Sequence, residues 1–354
     1  MIPFGFFKLS SGISPWLAAI ESDGGTIEDS GYIEEQLGLS SNASMVMIPG
    51  AYKSGVLYCP IPIDRSADFT VSRASLVNTI GEDGELRVLG NNIPAIDHSE
   101  GYPRLLAPDT STNLFLNNTV LVTQNVSTTV DTYTVSFYGT GTISFSGSYA
   151  GADLVGTGVS QRVMRTFTAA NGTLTTTVTG SCTNAQIEEL GYASPPITTL
   201  GVTSSRAAVT INSGGAATSI NSEEGVFIYK GKAFATGPFR MLTISDGTNN
   251  NRVGISYNNG GSILVFFTVD GVSVVSHTFA SNEQINENVI TFMWQLNNFK
   301  IYLNGVEVFA QASGVVPAPG TFTEVSFANG NGGLAFKADT KAILIYDEIA
   351  KATL

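Results

Sequence analysis

Apolar residues in this chain recur mainly at every second position, in short runs closed by Gly, Asn or Asp. That period belongs to strands with one face buried. The clearest alternation lies between residues 114 and 192. Tyr133, Val135 and Phe137 share one face with Thr134, Ser136 and Tyr138 on the other, and Ile143 with Phe145, Val163 with Phe167, and Leu174 with Val178 repeat the pattern. Gly139-Thr140-Gly141, Gly147, Gly156 and Asn171-Gly172 punctuate these runs, as expected of a β-sandwich. After Glu224 come about ten further strand candidates, from Val226–Tyr229 to Ala342–Tyr346, which make a second sandwich. Within it Ile290, Phe292, Trp294 and Leu296 fall on one face. Asn304-Gly305, between Ile301-Tyr302-Leu303 and Val306-Glu307-Val308, predicts a type I′ hairpin.

The pattern differs before residue 68. Ser14 can cap a helix with Pro15 at its first position, and Trp16, Leu17 and Ile20 follow at helical spacing before Asp23-Gly24-Gly25. A second short helix is expected over Ile27 to Leu37, closed by Gly38. From Asp68 to Asn113 short apolar pieces alternate with turns, Asp83-Gly84 marking a hairpin. The expected organisation is therefore an N-terminal helical and irregular docking region (1–67), a β connector (68–113), a β-sandwich (114–197) and a second sandwich (198–354).

Composition supports a mainly β chain. Only 13% of residues are charged, well below the usual quarter, and Ser, Thr, Asn and Gly take their place. A net charge of -12 repels phosphate backbones, and the 17 Lys and Arg form no stripe that could offset it, so nucleic acid is not expected as a partner. No apolar run reaches the length of a membrane helix, and Met1 to Lys8 lacks the layout of a secretory signal. Cys59 and Cys182 read as buried thiols, not as a disulfide framework.

Chemistry-bearing patterns are sparse. His277 sits in an alternating strand and reads as a sheet-face residue; His98, beside Asp97, Ser99 and Glu100, reads as part of a solvated loop. Gly139 to Gly141 and Gly330 to Gly333 read as turns, since no Lys-Ser/Thr follows them. No cofactor is expected. Calcium could be held by loop oxygens, but no spaced acidic set calls for it.

Three ordered segments carry a resemblance. Phe299 to Val308 resembles the strand, Asn-Gly turn and strand of laminin-G and concanavalin A-like jelly rolls; Ile244-Ser245-Asp246-Gly247-Thr248-Asn249-Asn250-Asn251-Arg252-Val253 precedes it and Phe322 to Gly330 follows. Together they resemble the C-terminal module of bacteriophage virion proteins. Upstream, Asp68-Phe69-Thr70, Arg73-Ala74-Ser75, Asp83-Gly84, Asn92-Ile93-Pro94, Asp97, Pro103, Leu105-Leu106 and Thr112-Asn113-Leu114 resemble the same group, with Ala95 and His98 where Arg and Tyr are usual. Residues 114 to 192 resemble its carbohydrate-binding-module-like insert.

The resemblance implies a structural tail fibre, head fibre or appendage protein of the virion, made in the host cytoplasm without a signal peptide. It would dock to capsid, portal, collar or tail proteins through the N-terminal region and form a homo-oligomer, its outward sandwiches binding host-surface glycan or neighbouring subunits. Jelly rolls of this kind present a rim of loops to sugars, which makes Asp246, Asn249, Asn251 and Tyr257 the candidate glycan-binding residues; the alternative is a plain polar turn. Two further readings stay open: a capsid-decorating protein without host contact, and a polysaccharide depolymerase. The second is disfavoured, since glycosidases need two carboxylates about 5 to 10 Å apart. Jelly-roll glucanases carry theirs as Glu-x-Asp-x-x-Glu on one strand, and Glu21-Ser22-Asp23 is the nearest approach in this chain. The expected protein is not an enzyme.

Overall fold

In the computed structural model, which describes residues 13–39, 42–212, 214–237, 239–279 and 283–352, the last third of the chain folds as two facing antiparallel sheets. The front sheet has the strand order Val272–Thr278, Ile263–Val269, Arg252–Tyr257, Arg240–Ser245, Glu324–Ser326. The back sheet runs Val306–Gln311, Asn298–Leu303, Asn288–Gln295, Glu224–Ala233, Ala338–Tyr346, Arg104–Leu106, Ile96–Asp97, and Met45–Met47 also pairs with Ala338–Tyr346. Alternate residues meet between the sheets: Phe227, Phe292 and Trp294 of the back pack with Ile244, Ile255 and Phe267 of the front. Burial of each such side chain contributes roughly 1.5–3 kcal/mol. The Asn304-Gly305 hairpin forms as expected, with φ of 52° and 80°, both left-handed.

The back sheet is covered on both faces. Helices Ile13–Ser22 and Ser30–Leu39 bring Trp16, Ile20 and Ile33 onto its outer side, against Val226, Met293, Leu344 and Tyr346. This explains why Ile343-Leu344-Ile345-Tyr346 is apolar without alternation: water reaches neither side. The second helix starts three residues later than the pattern suggests, because Thr26–Ile27 is a strand and Asp29 caps the helix, its Oδ1 accepting the Tyr32 N–H at 3.0 Å. No described helix is long and apolar enough to cross a membrane. The Met1 to Lys8 segment lies outside the described residues.

Four consecutive segments were expected, but the observed organisation is a jelly roll with an insert. Met45–Met47, Ile96–Asp97 and Arg104–Leu106, from segments assigned to docking and connection, are strands of the back sheet. A smaller sheet of Thr26–Ile27, Ala51–Lys53, Val56–Leu57, Phe69–Ser72 and Thr210–Asn212 abuts the front sheet through a bridge between Gly214 and Val325. Strands this short carry no periodic signature, and Met45–Met47 and Arg104–Leu106 find their partner, Ala338–Tyr346, at the far end of the chain. Arg73, fully buried, donates to the carbonyls of Ser75, Gly90 and Ile93, so the Arg-Ala-Ser segment is a structural clamp.

The insert leaves and rejoins this body through a two-stranded neck, Ser111–Asn113 paired with Ser204–Arg206. Beyond it a four-stranded sheet (Gln124–Thr128, Gly172–Thr179, Thr142–Gly147, Leu154–Val155) faces a three-stranded one (Gly158–Thr168, Thr132–Gly139, Thr183–Glu188), enclosing a separate core around Phe137, Ile143 and Phe167. Thr134 and Ser136, assigned by alternation to a polar face, are buried as well: Thr134 donates to the Leu190 carbonyl at 2.7 Å, and Arg162 donates to Ser136 at 2.8 Å. Tyr192 stacks on Phe234 at 5.2 Å between centroids, fastening insert to jelly roll.

Candidate functional site

The outward face of the front sheet follows from its inward one. Leu242 and Ile244, Val253 and Ile255, and Val265 and Phe267 point into the core, so the residues between them point away from it. Register then sets out three rows across the strands: Thr278, Leu264, Ser256, Met241; Ser276, Phe266, Gly254, Thr243, Ser326; and Ser273, Thr268, Arg252, Ser245, Glu324. Hydroxyl and small side chains dominate, with one cation and one anion two strands apart.

Phe266 is the large residue of the middle row, and its ring lies over Gly254 with 6% exposure; Thr243, Ser245, Ser256 and Ser326 are buried as well, so the solvent side of the face is Ser273, Ser276 and Thr278 with Thr268 and Arg252 half-buried. A Cβ at Gly254 would come 2.3 Å from the Phe266 Cζ, so only glycine admits the ring there. The Arg252 guanidinium sits 5.0 Å from the ring centroid. Its Nη1 donates to Asn249 Oδ1 at 2.7 Å, while its Nε is buried without an acceptor among the described residues. Burial pushes the Arg252 pKa down.

The turn Asp246 to Asn251 forms the rim at one end of this face. Asp246 Oδ1 accepts from the Thr248 N–H at 2.8 Å and the Thr248 hydroxyl at 2.6 Å, and Asn251 Nδ2 donates to Asp246 Oδ2 at 3.0 Å. Burial pulls the Asp246 pKa up, but these hydrogen bonds outweigh it and hold the carboxyl below its ordinary value. Asn251 Oδ1 accepts the Asp270 N–H at 2.9 Å, tying in the neighbouring turn. The loop around Gly330 closes on Thr248 so tightly that a Cβ at Gly330 would fall 1.7 Å from the Thr248 carbonyl oxygen.

Three of the four residues proposed from sequence therefore meet at one rim: Asp246, Asn249 and Asn251. Most of their hydrogen-bonding capacity is spent inside the turn, so they shape the rim. Tyr257 does not join them. It is 1% exposed, its ring stacks on Phe336 at 4.8 Å, and its hydroxyl donates to Tyr229 at 3.3 Å. The alternation Val253, Ile255, Tyr257 already placed it on the core side. Arg252 and Phe266 were missed, although alternate small residues on three neighbouring strands were a usable signal.

A cleft of about 510 Å³ lies elsewhere, lined by Thr26, Glu28, Gly81, Glu82, Asp83 and Arg87. Glu28 is 5% exposed and accepts from Arg87 Nη1 and Nη2, both at 2.7 Å, from the Tyr52 hydroxyl, and pairs with His98 Nε2 at 2.8 Å. His98 is thus buried against Glu28 instead of lying in a solvated loop. Burial pulls the Glu28 pKa up, but the His98, Arg87 and Tyr52 hydrogen bonds bring it to about 2. A carboxylate held ionised by this many donors is a structural latch, unsuited to giving a proton to a leaving group at neutral pH. Asp23 is likewise engaged, with Lys53, Tyr58 and Arg65.

No protein-family model matches the chain, and no curated protein matches it. Among solved structures it is similar to the Ruminococcus gnavus IT-sialidase CBM40 bound to alpha2,3 sialyllactose, with 13% identity and a TM-score of 0.32 over 40% of this chain and 88% of that one. It is also similar to a prokaryotic beta-1,3-1,4-glucanase (lichenase) derived from a mouse hindgut metagenome, at 14% identity and a TM-score of 0.30 over 45% and 76% of the two chains. A Bacillus licheniformis beta-glucanase gives 14% identity and a TM-score of 0.28 over 40% and 72%. Likeness of this degree carries no argument about ligand or reaction.

Proposed function

We propose that this chain is a non-enzymatic structural protein of a bacteriophage particle, of the fibre or appendage type, whose jelly roll recognises glycan on the host surface through the outward face of the front sheet. The observation that carries the glycan reading is the solvent side of that face: Ser273, Ser276 and Thr278 exposed, with Thr268 and the Arg252 guanidinium half-buried beside them over the buried Phe266 ring, bordered by a rim of turns. Sugars are bound by hydroxyl and charged partners of this kind set beside turns. The virion setting is supported by the ordered motifs around Arg73, Asp246 and Asn304 that resemble phage structural proteins. In this reading the protein resides in the virion as a homo-oligomer, with capsid, portal, collar or tail proteins as its partners.

Two measurements test it. Immunogold labelling of purified virions against the full chain is expected to mark the particle surface, and unlabelled particles would overturn the virion assignment. The purified chain is expected to bind host-surface glycans on an array and to lose that binding in Ser276→Trp, which covers the exposed hydroxyl row. Particle labelling with silence on every glycan would leave a decorating role instead, and capsule turnover by the purified chain would overturn the non-enzymatic reading.

A further inference from the structure

We infer that Arg252 is an anchor for an acidic sugar, pairing with a carboxylate or sulfate on the bound glycan; this deepens the glycan reading of the front face and rests on it. The chain carries 29 Asp and Glu against 17 Lys and Arg, and several cations near its surface are taken up by acids, among them Arg65 by Asp23, Arg87 by Glu28 and Lys300 by Glu307. Arg252 is half-buried on an outward face, and among the described residues no carboxylate lies within ion-pair distance of it. Its one side-chain hydrogen bond goes to a neutral amide, Asn249 Oδ1 at 2.7 Å.

A guanidinium partly removed from water without an anion is held at a cost, which an incoming anion would offset. The group is also preorganised. The Phe266 ring, seated on Gly254, supports it at 5.0 Å, and Asn249 holds Nη1, so little side-chain freedom remains to be lost on binding. Nη2 and the second Nη1 hydrogen, which make no hydrogen bond among the described residues, offer the paired donors that a planar carboxylate or a sulfate accepts side by side. The hydroxyls of Thr268, on the strand that carries Phe266, and of Ser276, on the strand beside it, fall in the rows of Arg252 and Phe266 and suit the neutral part of a saccharide.

The test uses the full chain on an array of matched oligosaccharides, each neutral core printed with and without a carboxylated or sulfated residue, with wild type compared to Arg252→Gln. Wild type is expected to prefer the acidic member of each pair, and Arg252→Gln to bind that member roughly tenfold to a hundredfold more weakly, as befits loss of a charge-assisted hydrogen-bond pair. Its thermal midpoint should match or exceed that of wild type, which separates a lost anchor from a lost fold. Equal binding of neutral and acidic members by wild type, or an acidic preference untouched in Arg252→Gln, would overturn the anchor while leaving the glycan reading in place. Wild type silent on both members would overturn the two together.

Discussion

Arg206 is the residue whose removal most directly tests how the insert is held. It is 1% exposed at the neck, where Nη1 donates to the Pro195 carbonyl at 2.7 Å and Nη2 to the Asp109 carbonyl at 2.9 Å and to Ser194 Oγ at 3.0 Å. Burial pushes its pKa down, partly offset by nearby Glu188. Arg206→Met keeps most of the volume, so the cavity contribution is small. Two effects then compete. The substitution relieves a buried charge, which is favourable by several kcal/mol, but it forfeits three bonds from a charged donor, each worth about 1.5–3 kcal/mol, and orphans two carbonyls at about 1–3 kcal/mol each. The losses exceed the relief, and a net destabilisation on the order of 3 kcal/mol follows. Trp294 lies in the jelly roll and Trp16 on the helix packed against it, so urea denaturation followed by fluorescence reports that body. Hydrogen exchange at 111–113 and 204–206 reports the neck. A loss below about 0.5 kcal/mol together with unchanged exchange at the neck would refute the clamp.

Glu28→Gln tests the latch beneath the cleft. A carboxyl held near 2 against an ordinary 4.5 stabilises the fold above its unfolded pKa, and that contribution disappears as pH falls from about 4.5 through about 2. Wild type should exceed Glu28→Gln by roughly 3 kcal/mol at pH 7, the two converging across that window. Asp68 and Asp339, pushed up to about 6 by burial, titrate with the opposite sign, so the comparison must be between variant and wild type at each pH; a constant gap down to pH 2 would sink the latch. Gly254→Val should drive Phe266 off its seat, costing about 1–3 kcal/mol in urea and abolishing glycan binding on the array; full retention of both would contradict the packing. Gly305→Ala places a Cβ at φ 80° and should cost about 1–2 kcal/mol by thermal melting, with no change at the front face; an unshifted midpoint would argue against the type I′ turn.

Local features were legible wherever one short stretch contains the whole cause. The alternation of Tyr133, Val135 and Phe137, the helical spacing of Trp16 and Ile20, and the Asn304-Gly305 turn each depend on neighbours a few residues away, and each appears in the structure. The insert was legible as a sandwich, but its status as an insert was not. Ser111–Asn113 and Ser204–Arg206 are three residues each, too short to show a period, and only their pairing reveals that the chain returns to the body it left. His98 was misread for the same reason: its partner Glu28 lies seventy positions away, as measured by their hydrogen bond.

The candidate site divides along the same line. Sequence by itself determined that Asp246, Asn249 and Asn251 would share a turn, and it already held, in Val253, Ile255 and Tyr257, the alternation that buries Tyr257. Tertiary structure decided the rest. Phe266 reaches Gly254, and Arg252 is left facing outward without an acid within reach, because separate strands are brought into one register that sets Glu324 two strands away. Side-chain period is a property of one strand; which side chains stand beside each other on a face depends on pairing between strands, and that is set by the packing of the whole core.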